Sequence, residues 1–336
     1  MELCVILEKQ LYCGELLPMH TAEMLRHACK DPNVNASAIV DRGLSELGYT
    51  YAINPLYAFG MAVGKEMAVI PARILPSPSV QYGHGIAHVD DRARWSLQNI
   101  KFVQGGRLTS WAVLNIHDRH RSGFNDANGP ELRRIVGVFA DMCRRSGISI
   151  PPNAQTYLSV TLPPKNREDP LRKAAIHKIQ TTMLDARPKP AMFLVVLSNH
   201  DPTIYEGLKH LCDVLLGVAT VCVQAEKIRR ERGRGQQQYF STVALKVNMK
   251  TGGVNHRLND RNSAWIKKEP TMLVGMDVTH PKRGQAVPRT PSIAAVVASI
   301  DMHQGQFPAS LRIQESRKVV SSVLRSLTSP TILTIL

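Results

Sequence analysis

The chain has 336 residues, 43% hydrophobic and 21% charged, which is ample for two globular domains with a sizeable core. Its formal net charge of +15 makes a polyanion the expected partner, nucleic acid before an acidic membrane. Apolar runs such as Met192–Leu197 have the length of buried strands, far short of the roughly 20 residues that a membrane-spanning helix requires. The opening MELCVILEKQ carries Glu2 and no basic region before a long apolar run, so no signal peptide is expected. Six cysteines (Cys4, Cys13, Cys29, Cys143, Cys212, Cys222) lack CxxC spacing and read as reduced thiols of an intracellular protein.

In chain order, residues 1–17 read as a short strand and turn, and 19–47 as a helical region with Thr21 as N-cap and a break at Asp31-Pro32. Residues 49–106 are irregular, with β-like pieces around 60–74 and 95–103. From Ser110 the pattern becomes regular. SWAVLNI, AMFLVVLS and VATVCV are buried strands, and 131–145, 169–184, 202–216 and 239–250 are helices. This alternation predicts an α/β fold with a parallel, Rossmann-like sheet. The polar stretch 257–269 leads to an antiparallel pair of apolar strands, MLVGMDVTHP and PSIAAVVASI. The basic run KIRRERGRGQQQ at 227–238 reads as a solvated loop first and a nucleic-acid contact second.

Two lysine patterns carry chemistry. Tyr205 and Lys209 share one helix face, and Lys246 and Lys250 share another. In an open α/β sheet ligands gather at the carboxyl ends of strands, where helix N-termini present free N–H groups. Lysines converging there suit a terminal phosphate, whose charge of about −1.5 to −2 exceeds that of a diester. The tyrosine offers a face for a stacked base. On spacing alone, a solvated lysine face and a half-buried aromatic are the commoner reading. Asp277 is a single carboxylate on an apolar strand. If the two late strands are antiparallel, Asp301 lies at the opposite end, roughly 20 Å away, as a turn residue. His84 and His88 have ligand-like spacing, but Gly83 and Gly85 argue against a helix and no third ligand is evident. His117 and His120 read as a polar loop after a strand. Neither GxxxxGK[ST] nor GxSxG occurs.

The motifs MLVGMDVTHP, PSIAAVVASI, IYEGLK and LKVNMKTGGVN, in their order, resemble the Argonaute family of guide-RNA-binding proteins over nearly the whole chain. The resemblance implies a chain truncated at both ends. Residues 1–18 would be the tail of a PAZ-like domain, 19–109 the linker 2 region, 110–262 the Rossmann-like middle domain, and 263–336 the N-terminal part of an RNase H-like PIWI domain. It implies that Tyr205 stacks on the first base of a small guide RNA, while Lys209, Lys246 and Lys250 hold its 5′-phosphate. The loop SNHDPT at 198–203 falls where the family reads that base. One departure is Val221, where the family usually has glutamine. The lost hydrogen bond is worth on the order of 1 kcal/mol.

Asp277 matches the first PIWI aspartate and by itself makes only a partial metal site. The family's glutamate would fall at Val319, with Glu315 four positions early, and the remaining ligands would lie beyond Leu336. The reading is guide-RNA binding in cytoplasmic or nuclear gene silencing, without cleavage. Complementary target RNA and silencing-complex proteins are the implied partners, with no membrane. Binding needs no cofactor, and Mg2+ enters only with a complete PIWI site. An incomplete active slicer and a decoy that occupies silencing partners are the alternatives.

Overall fold

A computed structural model describes residues 18–49, 56–118, 123–124, 129–230, 233–280 and 291–315. The chain divides into two compact units, Met1–Pro76 with Lys282–Ala286, and Ser77–Pro281 with Val287–Leu336. The expected strand at 1–17 lies outside the described residues.

In the first unit, helix α1 (Pro18–Ala28) starts at a proline, whose fixed φ and missing N–H suit a first turn. Thr21 is therefore inside the helix rather than its N-cap. The break at Asp31-Pro32 is present. Asp31 is extended (φ −57°, ψ 145°), as a residue before proline prefers, and α2 (Pro32–Ser37) follows. A π-helical turn (Ala38–Gly43) then leads to α3 (Leu44–Glu46).

The second unit opens with β1 (Val80–Gln81) and β2 (Ile86–Ala87), a short antiparallel pair turning near Gly85, whose φ is +82°. The β-like pieces expected at 60–74 and 95–103 are not strands. The later piece makes only scattered backbone bonds, such as Val103 N–H to the Asn255 carbonyl at 3.1 Å, which do not add up to a ladder.

Next come β3 (Trp111–His117), α4 (Pro130–Arg145), β4 (Gln155–Thr161), α5 (Lys173–Leu184), β5 (Met192–Leu197) and α6 (Pro202–Lys209). A π-helical segment (His210–Leu216) extends α6, and β6 (Ala219–Gln224), α7 (Ala225–Arg230) and α8 (Arg234–Lys250) complete the region. The strands form a parallel sheet in the order β4-β3-β5-β6. The wholly apolar β5 is buried along its length, as is nearly all of β3, and both lie at the centre. β4 is a strand that the sequence pattern did not single out. QTYLSVT is polar at alternate positions and mostly half-exposed, as an edge strand can be.

Because side chains alternate across a strand, the sheet has two cores. Trp111, Leu194, Val221 and Val223 face Phe139 of α4 and Val243 and Val247 of α8. Leu114, Phe193 and Val195 face Ile179 of α5 and Leu208 of α6 on the other side. Tyr82, Phe102 and Leu108 belong to the first core, so the segment before Ser110 is built into the same unit.

Two helices start away from their expected positions. α5 begins at Lys173, not Asp169, because the Asp169 carboxylate accepts from the N–H groups of Lys173 (2.8 Å) and Ala174 (2.9 Å). α8 begins at Arg234, ahead of Tyr239. The end of α8 is tightly built: Gly252 has φ +81°, and a Cβ on Gly253 would collide with the Asn248 side chain.

The polar stretch after α8 holds β7 (Arg257–Leu258), paired with β1, and α9 (Asp260–Lys267), capped by Asn259 accepting from Asn262 N–H at 2.8 Å. Then β8 (Val274–Thr279), β9 (Ser292–Ala298) and β10 (Ala309–Gln314) form an antiparallel sheet in the order β10-β9-β8. The expected antiparallel pair is thus present, with a third strand added.

Candidate nucleic-acid interface

At the carboxyl ends of β3 and β5, a buried charge network holds loop 198–203. Asp118, just past β3, donates its N–H to Ser198 Oγ at 3.0 Å. Its carboxylate accepts from Arg172 Nη2 at 2.7 Å and from Asn199 Nδ2 at 3.3 Å. Arg172 Nη1 is also 3.8 Å from Asp201 Oδ2, which lies 3.0 Å from Lys165 Nζ. Asp201 in turn caps α6, accepting from the N–H groups of Thr203 (3.0 Å) and Ile204 (3.4 Å). Burial pushes the Asp201 carboxyl up. The Lys165 ammonium and the two cap N–H groups prevail and hold it below the usual carboxylate range. Arg172 sits in the left-handed region (φ +54°), a strained conformation for a non-glycine residue. Asp118 and Arg172 were not evident as site residues in the sequence, since each is an ordinary charged residue of a loop.

Loop and helix together leave a cavity of about 240 Å³ lined by Asn199, His200, Asp201, Tyr205 and Gln224. Tyr205 is about half exposed on its rim. The lysines lie elsewhere than expected. Lys209 and Lys250 are the last residues of α6 and α8, and both reach Thr220. Lys209 Nζ donates to Thr220 Oγ1 at 2.8 Å, and Lys250 Nζ to the Thr220 carbonyl at 2.9 Å. Thr220 is near the amino end of β6, the edge strand. Both helices run back antiparallel to their strands, so their final turns return to that end. The pair therefore lies beside the amino-terminal part of the sheet edge, away from the helix N-termini at the carboxyl ends. Tyr205, one turn before Lys209, bridges the two regions.

Asp213 sits 3.5 Å from Lys209. Burial pulls the Lys209 pKa down, but Asp213 and the hydrogen bond with Lys250 outweigh it and leave it raised. Lys250 is lowered, by burial first and then by the charge of Lys209. Lys246 is exposed one turn back, and its charge reaches Cys222. Burial pushes the Cys222 thiol up to about 11 against the pull of Lys209, Lys250 and Lys246. Two of the four expected phosphate-site residues, Lys209 and Lys250, thus meet at Thr220, while Tyr205 lies on the cavity rim and Lys246 acts on Cys222 through its charge.

Val221 is buried in the core shared with α8, the helix that delivers Lys246 and Lys250. Val221→Gln is expected to lower stability, because a buried apolar side chain is lost and a polar one takes its place. Urea denaturation checks the sign.

Asp277 lies within β8, before its end at Thr279, and is exposed. It pairs with Ala295, which pairs in turn with Leu311, so its same-face neighbours are apolar. Asp301 is at the opposite end of the sheet, as strand geometry requires. Its carboxylate accepts from the N–H groups of His303 (2.8 Å), Gly305 (2.9 Å) and Gln306 (2.6 Å), which makes it the organiser of a turn. Glu315 follows β10 and is exposed; Val319 lies outside the described residues. Among the described residues no three His, Cys, Asp or Glu side chains gather to hold a metal ion. Among the described residues, Asp277 with Ala295 and Leu311 beside it offers too few oxygens for a pair of Mg2+ ions, because hard divalent cations need several oxygen ligands.

A doubly covered parallel α/β sheet, with lysines at its edge strand, is followed by an antiparallel strand set. Residues 192–332 match the Piwi domain family and residues 34–82 the Argonaute linker 2 domain. Protein argonaute 5 of Arabidopsis thaliana is 31% identical over 90% of this chain and 28% of its own length. The fold is shared with the C-terminal lobe of a budding yeast Argonaute (TM-score 0.63, 23% identity, 77% of this chain and 52% of that one). It is shared likewise with Kluyveromyces polysporus Argonaute, solved with a guide RNA (TM-score 0.60, 21% identity, 76% of this chain and 31% of that one). The chain belongs to the Argonaute family. It spans less than a third of the length of the curated relatives it matches.

Proposed function

We propose that this chain binds the 5′-phosphorylated end of a small guide RNA in RNA-mediated silencing and does not itself cleave RNA. The observation that carries the reading is the convergence of Lys209 and Lys250 on Thr220, with Lys246 and Tyr205 alongside. Two cations forced together by the fold, one of them already losing its proton more easily, gain most from a dianionic group between them. Tyr205 then supplies a stacking face for the terminal base, next to loop 198–203. In this reading 19–109 is the linker region, 110–262 the middle domain and 263–336 the start of the PIWI domain. Target RNA and silencing-complex proteins are partners of the loaded chain. Titration of a short RNA carrying a 5′-phosphate or a 5′-hydroxyl tests the reading. Equal affinities would sink it, and no binding of either RNA would favour the decoy alternative.

The absence of cleavage rests on Asp277, whose same-face neighbours Ala295 and Leu311 offer no oxygen ligand. A purified, guide-loaded chain given a complementary target in Mg2+ or Mn2+ is expected to leave it intact. Asp277→Ala should change neither guide affinity nor the gel pattern. A single guide-directed cut that vanishes in Asp277→Ala would restore the slicer alternative.

A further inference from the structure

The turn between β9 and β10 does more than reverse the chain. Asp301 gathers the N–H groups of His303, Gly305 and Gln306, and Ile300 N–H donates to the Gln306 carbonyl at 3.1 Å. The turn so fixed holds the Gln306 side chain against the end of α8. There Gln306 Nε2 donates to the carbonyls of Met249 (3.3 Å) and Gly253 (3.0 Å). The last carbonyls of a helix have no partner within it and need donors from outside. Met249 immediately precedes Lys250, and Gly253 closes the turn after it. Within the middle module the same helix end is held by Asn248. Its side chain accepts from Gly106 N–H at 2.7 Å and donates to the Gln104 carbonyl at 3.1 Å.

We infer that Gln306 is a positioning residue for Lys250: the β9–β10 turn clamps the end of α8 and sets the lysine that, on the reading above, faces the guide phosphate. The opening strands of the Piwi region then contribute to guide binding without any catalytic role. The inference rests on the phosphate-binding reading and assigns to the later sheet a part in it. The cation pair works only when both ammonium groups are held on Thr220, because a freed Lys250 would move away from Lys209 and lower the local charge. Holding it costs no entropy at the moment of binding, since the turn is already in place.

The test compares the full chain, Gln306→Ala and Gln306→Arg with RNA carrying a 5′-phosphate or a 5′-hydroxyl, alongside hydrogen exchange of the backbone amides. Gln306→Ala is expected to bind phosphorylated RNA about five-fold more weakly, the scale of a lost pair of hydrogen bonds. Binding of hydroxyl RNA should be unchanged, with faster exchange at Thr251 and Gly253. Gln306→Arg keeps two donors facing the carbonyls and places a cation at a helix C-terminus, so it should restore both phosphate preference and slow exchange. An unaltered phosphate preference in Gln306→Ala, or equal losses on both RNAs, would overturn the clamp. No preference in the unaltered chain would instead overturn the phosphate reading on which it rests.

Discussion

Arg172→Met lowers the stability of the second unit by about 3–5 kcal/mol, the range for removing one partner of a buried ion pair. The guanidinium is buried between Asp118 and Asp201, and both carboxylates are themselves buried. Methionine fills much of the volume but leaves Asp118 with Asn199 as its remaining side-chain donor at 3.3 Å. The left-handed backbone at 172 stays strained, so nothing is regained. Urea denaturation followed by circular dichroism reads the shift in midpoint. A double variant, Asp118→Asn with Arg172→Met, should recover part of the loss because the uncompensated charge is gone. A loss below about 1 kcal/mol would mean that the network is already solvated.

The same network carries a pH dependence. The folded Asp201 pKa is depressed, so its contribution is present above the ordinary carboxylate pKa and is lost as pH falls through the lowered value. Lys165→Ala, which removes the ammonium that lowers the Asp201 pKa, should unfold at a higher pH on acid titration than Lys178→Ala, an exposed change on α5. Because Asp201 caps α6, which carries Tyr205 and Lys209, partial acid unfolding should loosen the candidate RNA site before the sheet itself melts.

Lys209→Ala and Lys246→Ala each weaken binding of 5′-phosphorylated RNA by about 1.5–3 kcal/mol, roughly 10- to 150-fold, as expected for charge-assisted bonds. Hydroxyl-ended RNA should barely respond, and Lys178→Ala should respond to neither. Lys209 has the added effect of releasing Thr220 Oγ1, so Thr220→Val should reproduce a fraction of its loss. The lowered Lys250 pKa sets the sign of the pH effect. On the proposed reading phosphate binding uses the charged form, so affinity should fall as pH rises through that lowered value. Lys250→Arg should move the fall to higher pH, because guanidinium does not titrate there. Equal losses on both RNAs would show a general basic surface instead of a phosphate site.

Much of the fold was legible before any tertiary contact was known. The apolar runs around Met192 and Trp111 read as central strands because six or seven successive apolar residues, too few for a buried helix, suit a strand covered on both faces. The helix expected from Pro202 begins there, and the structure shows why: the Asp201 carboxylate caps it and the proline suits its first turn. The motif order named the family, and the strand pair around Asp277 placed Asp301 at the wrong end of the sheet for a shared metal. These are properties of local pattern and backbone geometry, which a sequence carries directly.

What the tertiary structure decided is where charges meet. No local signal tells that Asp118, Arg172 and Asp201, from three separate segments, are buried together, because a charged loop residue looks the same whether solvated or paired. β4 escaped notice because its burial comes from β3 beside it and not from its own composition. The lysine spacing put Lys209 near Tyr205 and Lys250 near Lys246, but only the return of α6 and α8 to one end of β6 brought Lys209 and Lys250 together at Thr220. That depends on helix length and strand order, set by packing across the whole sheet. Gln306 owes its position to the same cause: it meets the end of α8 only once two sheets far apart in the chain have docked.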